Sequence, residues 1–343
     1  MRRHAPALTL FLLSPFLAEV VFGATPFSRL GGLVPVLFLY GGGVLIIRDL
    51  ARRRGRGWWR ILLLGAAYAI VEEGLVIQSV FNPDLFHAGE LGGRVLGVNG
   101  VWTEWTIAYH ATYSVAIPIL LAEILFPSRR DEPWLGPRSM AFLGLLYLLS
   151  AAVIGIAFRR IIAPGFQATI LQVLAASGTV VLLVIAALRG PEPNEPRQDV
   201  LRPVPPRGLV ALLGLAGGAA IFALLVGIPG PWRHGIGVLV PMGAVAVVLG
   251  FVLLSLARWW RRAAWTDRHA LALVGGALVP MMLFGLLAVT AGNRTDQVAD
   301  GVFIAVTWVF LAALDHAAGG RGGSPIRAPG RSKTRVGERP VTP

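Results

Sequence analysis

The sequence predicts an all-α, polytopic transmembrane helix bundle of about ten membrane-spanning helices with both termini cytoplasmic. Three observations carry this reading. Apolar windows of ~20 residues, the length that crosses ~30 Å of hydrocarbon, recur from end to end. The chain is 55% hydrophobic and only 14% charged, with a mean hydropathy of +0.68. Its arginines alternate: 25 of the 31 basic residues fall in every second connection, as the positive-inside rule expects of cytoplasmic loops.

The predicted spans are 6–23, 31–47, 61–79, 102–126, 140–158, 168–188, 208–228, 235–257, 269–291 and 300–316. The first follows MRRH and also fits a signal peptide ending near Gly23 and Ala24. Ser14, Pro15 and Glu19 interrupt its apolar run and favour a retained helix. Spans one to six form a membrane unit over 1–188. A Pro-rich cytoplasmic linker over 189–207 has six prolines from Pro191 to Pro206, a composition that stays extended and solvated. A four-helix unit follows over 208–317, then a basic tail over 318–343 whose Gly, Pro, Ser and Arg predict disorder. The echo LVPM at Leu239 and Leu278 is too short for a duplication and reads as two proline kinks.

Thirty of the 31 basic residues are arginine, and Ala, Gly, Leu and Val abound, which points to a bacterial genome and so to the plasma membrane. Two basic-aromatic cuffs, Arg52–Arg60 and Arg258–Trp265, are read as anchors that set Trp at the interface and Arg against anionic lipid headgroups. Nucleic acid is excluded as a partner because no soluble surface carries the charge. The chain has no cysteine, so disulfides, thiolate metal sites and cysteine nucleophiles are excluded, leaving His, Asp and Glu as metal ligands.

The candidate site starts from the segment AAYAIVEEGLVIQS, 66–79, where Glu72 and Glu73 stand side by side inside span three. A charge near the bilayer centre costs about 2.5–3.5 kcal/mol on insertion scales, so two adjacent acids require a proton, a cation or a metal between them. Span three runs outwards and span four back inwards, which puts Glu72, Glu73 and His110 at one depth, ~10–12 Å below the outer end at ~1.5 Å per residue. Glu19 is slightly shallower. Gly65, Ala66 and Ala69 permit close approach of a neighbouring helix, and Tyr68 shares the face of Glu72 and Ser79. Thr103, Thr106, His110, Tyr113 and Ser114 make a polar stripe on span four, with Pro118 bending the helix below it. In an α-helix the two glutamates point about 100° apart, so they need not share a task. The outer loop with Asp84, His87, Glu90, Arg94 and Asn99 is long enough to fold over the site.

Three chemistries fit these residues. Glu72 and His110, with His87 as a further ligand, suit Zn²⁺, and a free glutamate beside it suits a general base, making Glu72, Glu73 and His110 catalytic. Alternatively the acids and the histidine exchange protons in a carrier or small-molecule binding protein. In that reading Glu19, Tyr68, Glu104, Thr106, Tyr113 and Ser114 line a substrate or proton pathway. The third is a structural hydrogen-bond network that fixes helix order.

Adjacent glutamates on one membrane helix and a histidine on the next resemble the CPBP family of intramembrane glutamate proteases, the CAAX-processing and bacteriocin-related group. That family's motifs are EExxxR, FxxxH and a later His followed by Asn or Asp. Glu72-Glu73 matches the first and His110 the second, while Ile77 stands at the arginine position and Thr106 at the phenylalanine position. The resemblance implies a metal-dependent intramembrane hydrolase. The segments SPFLAE, RRRGRGW, VEEGL and RDEPW also resemble an uncharacterised group of bacterial multi-pass proteins, which implies no activity.

Overall fold

A computed structural model describes residues 4–55, 57–190, 203–227, 230–260, 262 and 264–320. Most of the predicted linker and tail therefore lies outside the described residues. Each predicted span is a helix: α1 Ala5–Val20, α2 Phe27–Arg53, α3 58–76, α4 Gly100–Leu125, α5 Pro137–Ile162, α6 Ile170–Arg189, α7 Arg207–Val226, α8 Gly235–Trp259, α9 Asp267–Val289 and α10 Arg294–Gly320. Eight are long and apolar enough to cross a membrane; α1 is shorter, and α3 carries the acid pair.

Burial sorts the bundle. The apolar stretch of α4 is 78% buried, whereas those of α5 and α6 are 11% buried, so α4 is central and α5 and α6 are peripheral. Phe142, Leu148, Leu182 and Phe251 are exposed large apolar side chains on the peripheral helices, as expected of surfaces that meet lipid tails. The two predicted units interlock. Phe22, just past α1, stacks on Phe284 of α9 at 6.1 Å and lies 4.9 Å from Tyr109 of α4, while Phe222 of α7 lies 5.4 Å from Phe284.

Glycines set the closest crossings. A Cβ at Gly65 would stand 2.9 Å from the Cα of Ala111, so α3 lies against α4 one residue from His110. A Cβ at Gly43 would stand 2.8 Å from the Tyr68 ring, so α2 completes the packing there. Pro118 has no N–H to offer the carbonyl of Ser114 four residues earlier. That carbonyl accepts a hydrogen bond from Ser14 Oγ of α1 at 2.7 Å.

The helices are not uniformly α-form. Wider, π-type turns occupy Ile70–Val76 of α3 and His110–Ala116 of α4, and also Phe16–Val20, Leu37–Gly42, Phe158–Ile162, Ala220–Val226 and Gly285–Val289, so they are a feature of the whole bundle.

The loop between α3 and α4 folds onto the bundle. Its two-residue strands, Arg94–Val95 and Val98–Asn99, pair around Leu96 and Gly97, both at positive φ, as a tight right-twisted hairpin demands. Asn99 is fully buried: it caps α4 by accepting the Trp102 N–H at 2.9 Å and donates to the carbonyls of Ala88 and Leu91 at 2.8 and 3.0 Å.

Candidate functional site

Glu72, Glu73 and His110 converge. The imidazole lies between the two carboxylates: Nε2 is 3.0 Å from Glu73 Oε1, and Nδ1 is 3.5 Å from Glu72 Oε2. All three side chains are buried, and each offers a donor atom within 4.8 Å of the others. The two acids leave the helix roughly 80–100° apart, and their long side chains reach the imidazole from its two sides.

The surroundings hold the triad in place. Ser114 Oγ is 3.0 Å from His110 Nδ1. Ser79 donates a short hydrogen bond to Glu73 Oε2 and accepts one from Trp102 Nε1 at 2.9 Å, which ties the acid to the start of α4. Tyr40 and Tyr68 flank the imidazole with ring centroids at 6.0 and 5.8 Å. The Tyr68 hydroxyl and Glu72 Oε2 are buried without a hydrogen-bond partner. Glu19 joins the group electrostatically through His110 and Glu73, and it accepts from Thr25 at 2.6 Å.

Other predicted pathway residues go elsewhere. Thr106 is buried and donates to the Thr103 carbonyl of its own helix at 3.2 Å. Tyr113 donates to the Ala277 carbonyl at 2.9 Å, which docks α4 on α9. Glu104 is half-buried, and among the described residues no hydrogen bond joins it to the triad. His87 is not brought to the site. Its side chain is 88% exposed and pairs with Glu90 at 3.2 Å, because the loop turns it outwards at a positive φ.

A second buried polar cluster is one that hydropathy does not reveal. Arg48 is fully buried near the end of α2 and spends its donors on Glu123 (3.1 Å), Asp49 (3.3 Å) and the carbonyls of Arg129, Arg130 and Glu132. Its guanidinium stacks 3.4 Å from the Trp134 ring centroid. Arg52 adds a two-pronged pair with Glu123 at 2.8 and 2.7 Å, and Asp49 accepts the N–H groups of Trp134 and Leu135. The signal is present as Glu123 in span four and RDEPW after it, but the apolar run of span two stops at residue 47, short of these arginines. Two arginines of the first cuff are likewise taken inside the protein. Arg52 turns inwards, and Arg60 is buried with hydrogen bonds to the carbonyls of Ala187 and Gly190 that end α6. Trp58 and Trp260 meet at 5.4 Å, so the two cuffs touch each other. Asp296 and Asp300 of α10 are also buried, just outside the predicted tenth span or at its first turn. Asp296 accepts both the N–H and the hydroxyl of Ser28 at 2.8 Å.

Fold and site together define a multi-pass helical membrane protein with a buried acid–histidine triad at the contact of two central helices. The match of a family model over residues 8–319 then places it: the chain belongs to the family described as an uncharacterized membrane protein family. No curated protein and no solved structure matches it. The resemblance of SPFLAE, RRRGRGW, VEEGL and RDEPW to an uncharacterised multi-pass group agrees with this membership. The CPBP resemblance is not confirmed.

Proposed function

We propose that this chain is a proton-exchanging membrane protein, a proton-linked carrier of a small molecule, with Glu72, His110 and Glu73 as its proton site. One observation carries the reading: two carboxylates flank the two nitrogens of one buried imidazole. Two carboxylates and a neutral ring in a buried site leave two negative charges unbalanced, a state that burial strongly disfavours. Protons on this set, shared across the ring, remove the imbalance without any other group. Glu19, beyond the triad and bonded to Thr25, is the exit towards the outer surface. The arginine distribution supports ten spans in a bacterial plasma membrane with both termini cytoplasmic, which puts the triad in the outer half of the bilayer.

Infrared difference spectroscopy of the purified protein tests the reading. Acidification is expected to produce a carboxyl C=O band that shifts in D₂O and is lost in Glu72→Gln and Glu73→Gln. A spectrum identical in wild type and both variants overturns it.

A second reading rests on a different observation, that three buried donor atoms lie within 4.8 Å of one another. With Glu73 kept as a base, the set supplies two of the three protein ligands usual in a catalytic Zn²⁺ site. Glu72 and His110 would hold the ion and Glu73 would take a proton from water, while the ion supplies Lewis acidity in a CPBP-like hydrolase. The proton reading ranks first because the two acids face opposite nitrogens of the ring, and a metal takes only one of them. Stoichiometric Zn²⁺ in the purified protein, lost in His110→Ala, would reverse that order.

A further inference from the structure

A groove of about 580 Å³ opens on the surface of the second helical group, between α7, α9 and α10. Its walls are apolar or small along most of their length, and its polar residues gather at one end: Arg207, Arg268 and Asp315. From Arg268 to Val279 it runs roughly 16 Å along α9 at ~1.5 Å per residue. That is about half of a ~30 Å hydrocarbon core, the depth of one leaflet.

The polar end is built for an anion. Arg207 and Arg268 lie in the first turns of α7 and α9, whose N-termini each add roughly half a positive charge. Both arginines reach Asp315, at 3.4 and 2.6 Å, so a single carboxylate faces two guanidinium groups and two helix N-termini. The other acid there, Asp267, is taken by Arg130 at 2.8 Å. All three side chains of the Arg207–Asp315–Arg268 group remain partly exposed, which leaves guanidinium N–H groups open to a further partner.

The small residues keep the groove open. A Cβ at Gly276 would collide with the backbone of Ala211, so this glycine sets the α7–α9 crossing that forms the floor. Gly275 beside it faces the groove, and a Cβ there would meet only the Trp308 ring at 3.5 Å. Trp308 is partly exposed and forms part of the α10 wall.

We propose that this groove is a binding site for one anionic phospholipid, with its phosphate on Arg207 and Arg268 and one acyl chain along Gly275 towards Val279. Net positive charge at one end and a one-leaflet apolar trough below it match that ligand. Two guanidinium groups against one carboxylate favour an anionic headgroup over a zwitterionic one. The site is separate from the triad and from the two cuffs.

Native mass spectrometry of the full chain in detergent, titrated with phosphatidylglycerol or phosphatidylcholine of identical acyl chains, tests this. Wild type is expected to bind phosphatidylglycerol at least tenfold more tightly. Arg207→Gln/Arg268→Gln is expected to erase that preference, and Gly275→Leu, which fills the trough without touching the arginines, to weaken binding of the same lipid at least tenfold. Equal affinity for the two lipids in wild type, an undiminished preference in the double variant, or full binding in Gly275→Leu each overturns the proposal. A dimer that seals the groove against lipid overturns it as well. Either variant alone is decisive if the other does not fold.

Discussion

Glu72→Gln separates a working triad from a structural one, because the two readings disagree on the sign of its effect. At 3.5 Å from His110 Nδ1 and an effective dielectric constant near 20, an ionised Glu72 gains about 5 kcal/mol opposite an imidazolium. Its repulsion from an ionised Glu73 within 4.8 Å costs about 3.5 kcal/mol. Carrying the charge inside the membrane costs about 3 kcal/mol more. The unfavourable terms win by about 1–2 kcal/mol, and they win by more if the ring is neutral. Glutamine keeps the shape, drops the charge and breaks no hydrogen bond at Oε2, which has none. Thermal or denaturant unfolding in detergent at neutral pH should therefore show Glu72→Gln equal to wild type or more stable by up to about 2 kcal/mol. Glu73→Gln should lose stability instead, by about 1.5–3 kcal/mol, since Glu73 bonds both Ser79 and His110. If Glu72→Gln is destabilised by more than about 1 kcal/mol, Glu72 holds the helices together and the triad is structural.

Three further outcomes follow from the packing. Arg48→Met should cost about 3–5 kcal/mol in the same unfolding assay, because it leaves a buried carboxylate network and three carbonyls without their donor. A change below about 1 kcal/mol would show that Arg52 alone satisfies Glu123. Gly65→Val should cost about 1–3 kcal/mol by overpacking and push α3 off His110, with a changed carboxyl band in the infrared spectrum as the second readout. Asn99→Ala should cost about 2–4 kcal/mol, the sum of a helix cap and two buried carbonyls, and raise hydrogen exchange in the 77–99 loop. Unchanged exchange there would mean that the loop is held by other contacts.

Much of the architecture is legible in the sequence because hydropathy reports directly on the solvent. All ten apolar runs are helices, and the one-level placement of Glu72, Glu73 and His110 requires only helix rise and a reversal of direction. Gly65 is legible as a close-approach residue for the same reason. Convergence of the two acids on one ring is not, since it depends on how far each long side chain reaches and on α4 setting His110 between them. Tyr113 shares the stripe of His110, yet it points at α9, and a stripe does not say which neighbour each residue meets. The Arg48–Glu123–Arg52 cluster stays hidden because arginines at a span end look the same whether they snorkel to lipid or turn inwards. What decides is the partner, and Glu123 lies 71 residues from Arg52 in the chain.

Whether one imidazole shares protons with two carboxylates is most directly visible in ¹⁵N NMR of histidine-labelled protein. The His110 signals, assigned by their loss in His110→Asn, are expected to titrate at both ring nitrogens. Glu73→Gln should move the Nε2 signal most, and Glu72→Gln the Nδ1 signal. Ring nitrogens that hold one fixed tautomer through the titration, unmoved by either substitution, would rule out a shared proton site at the triad.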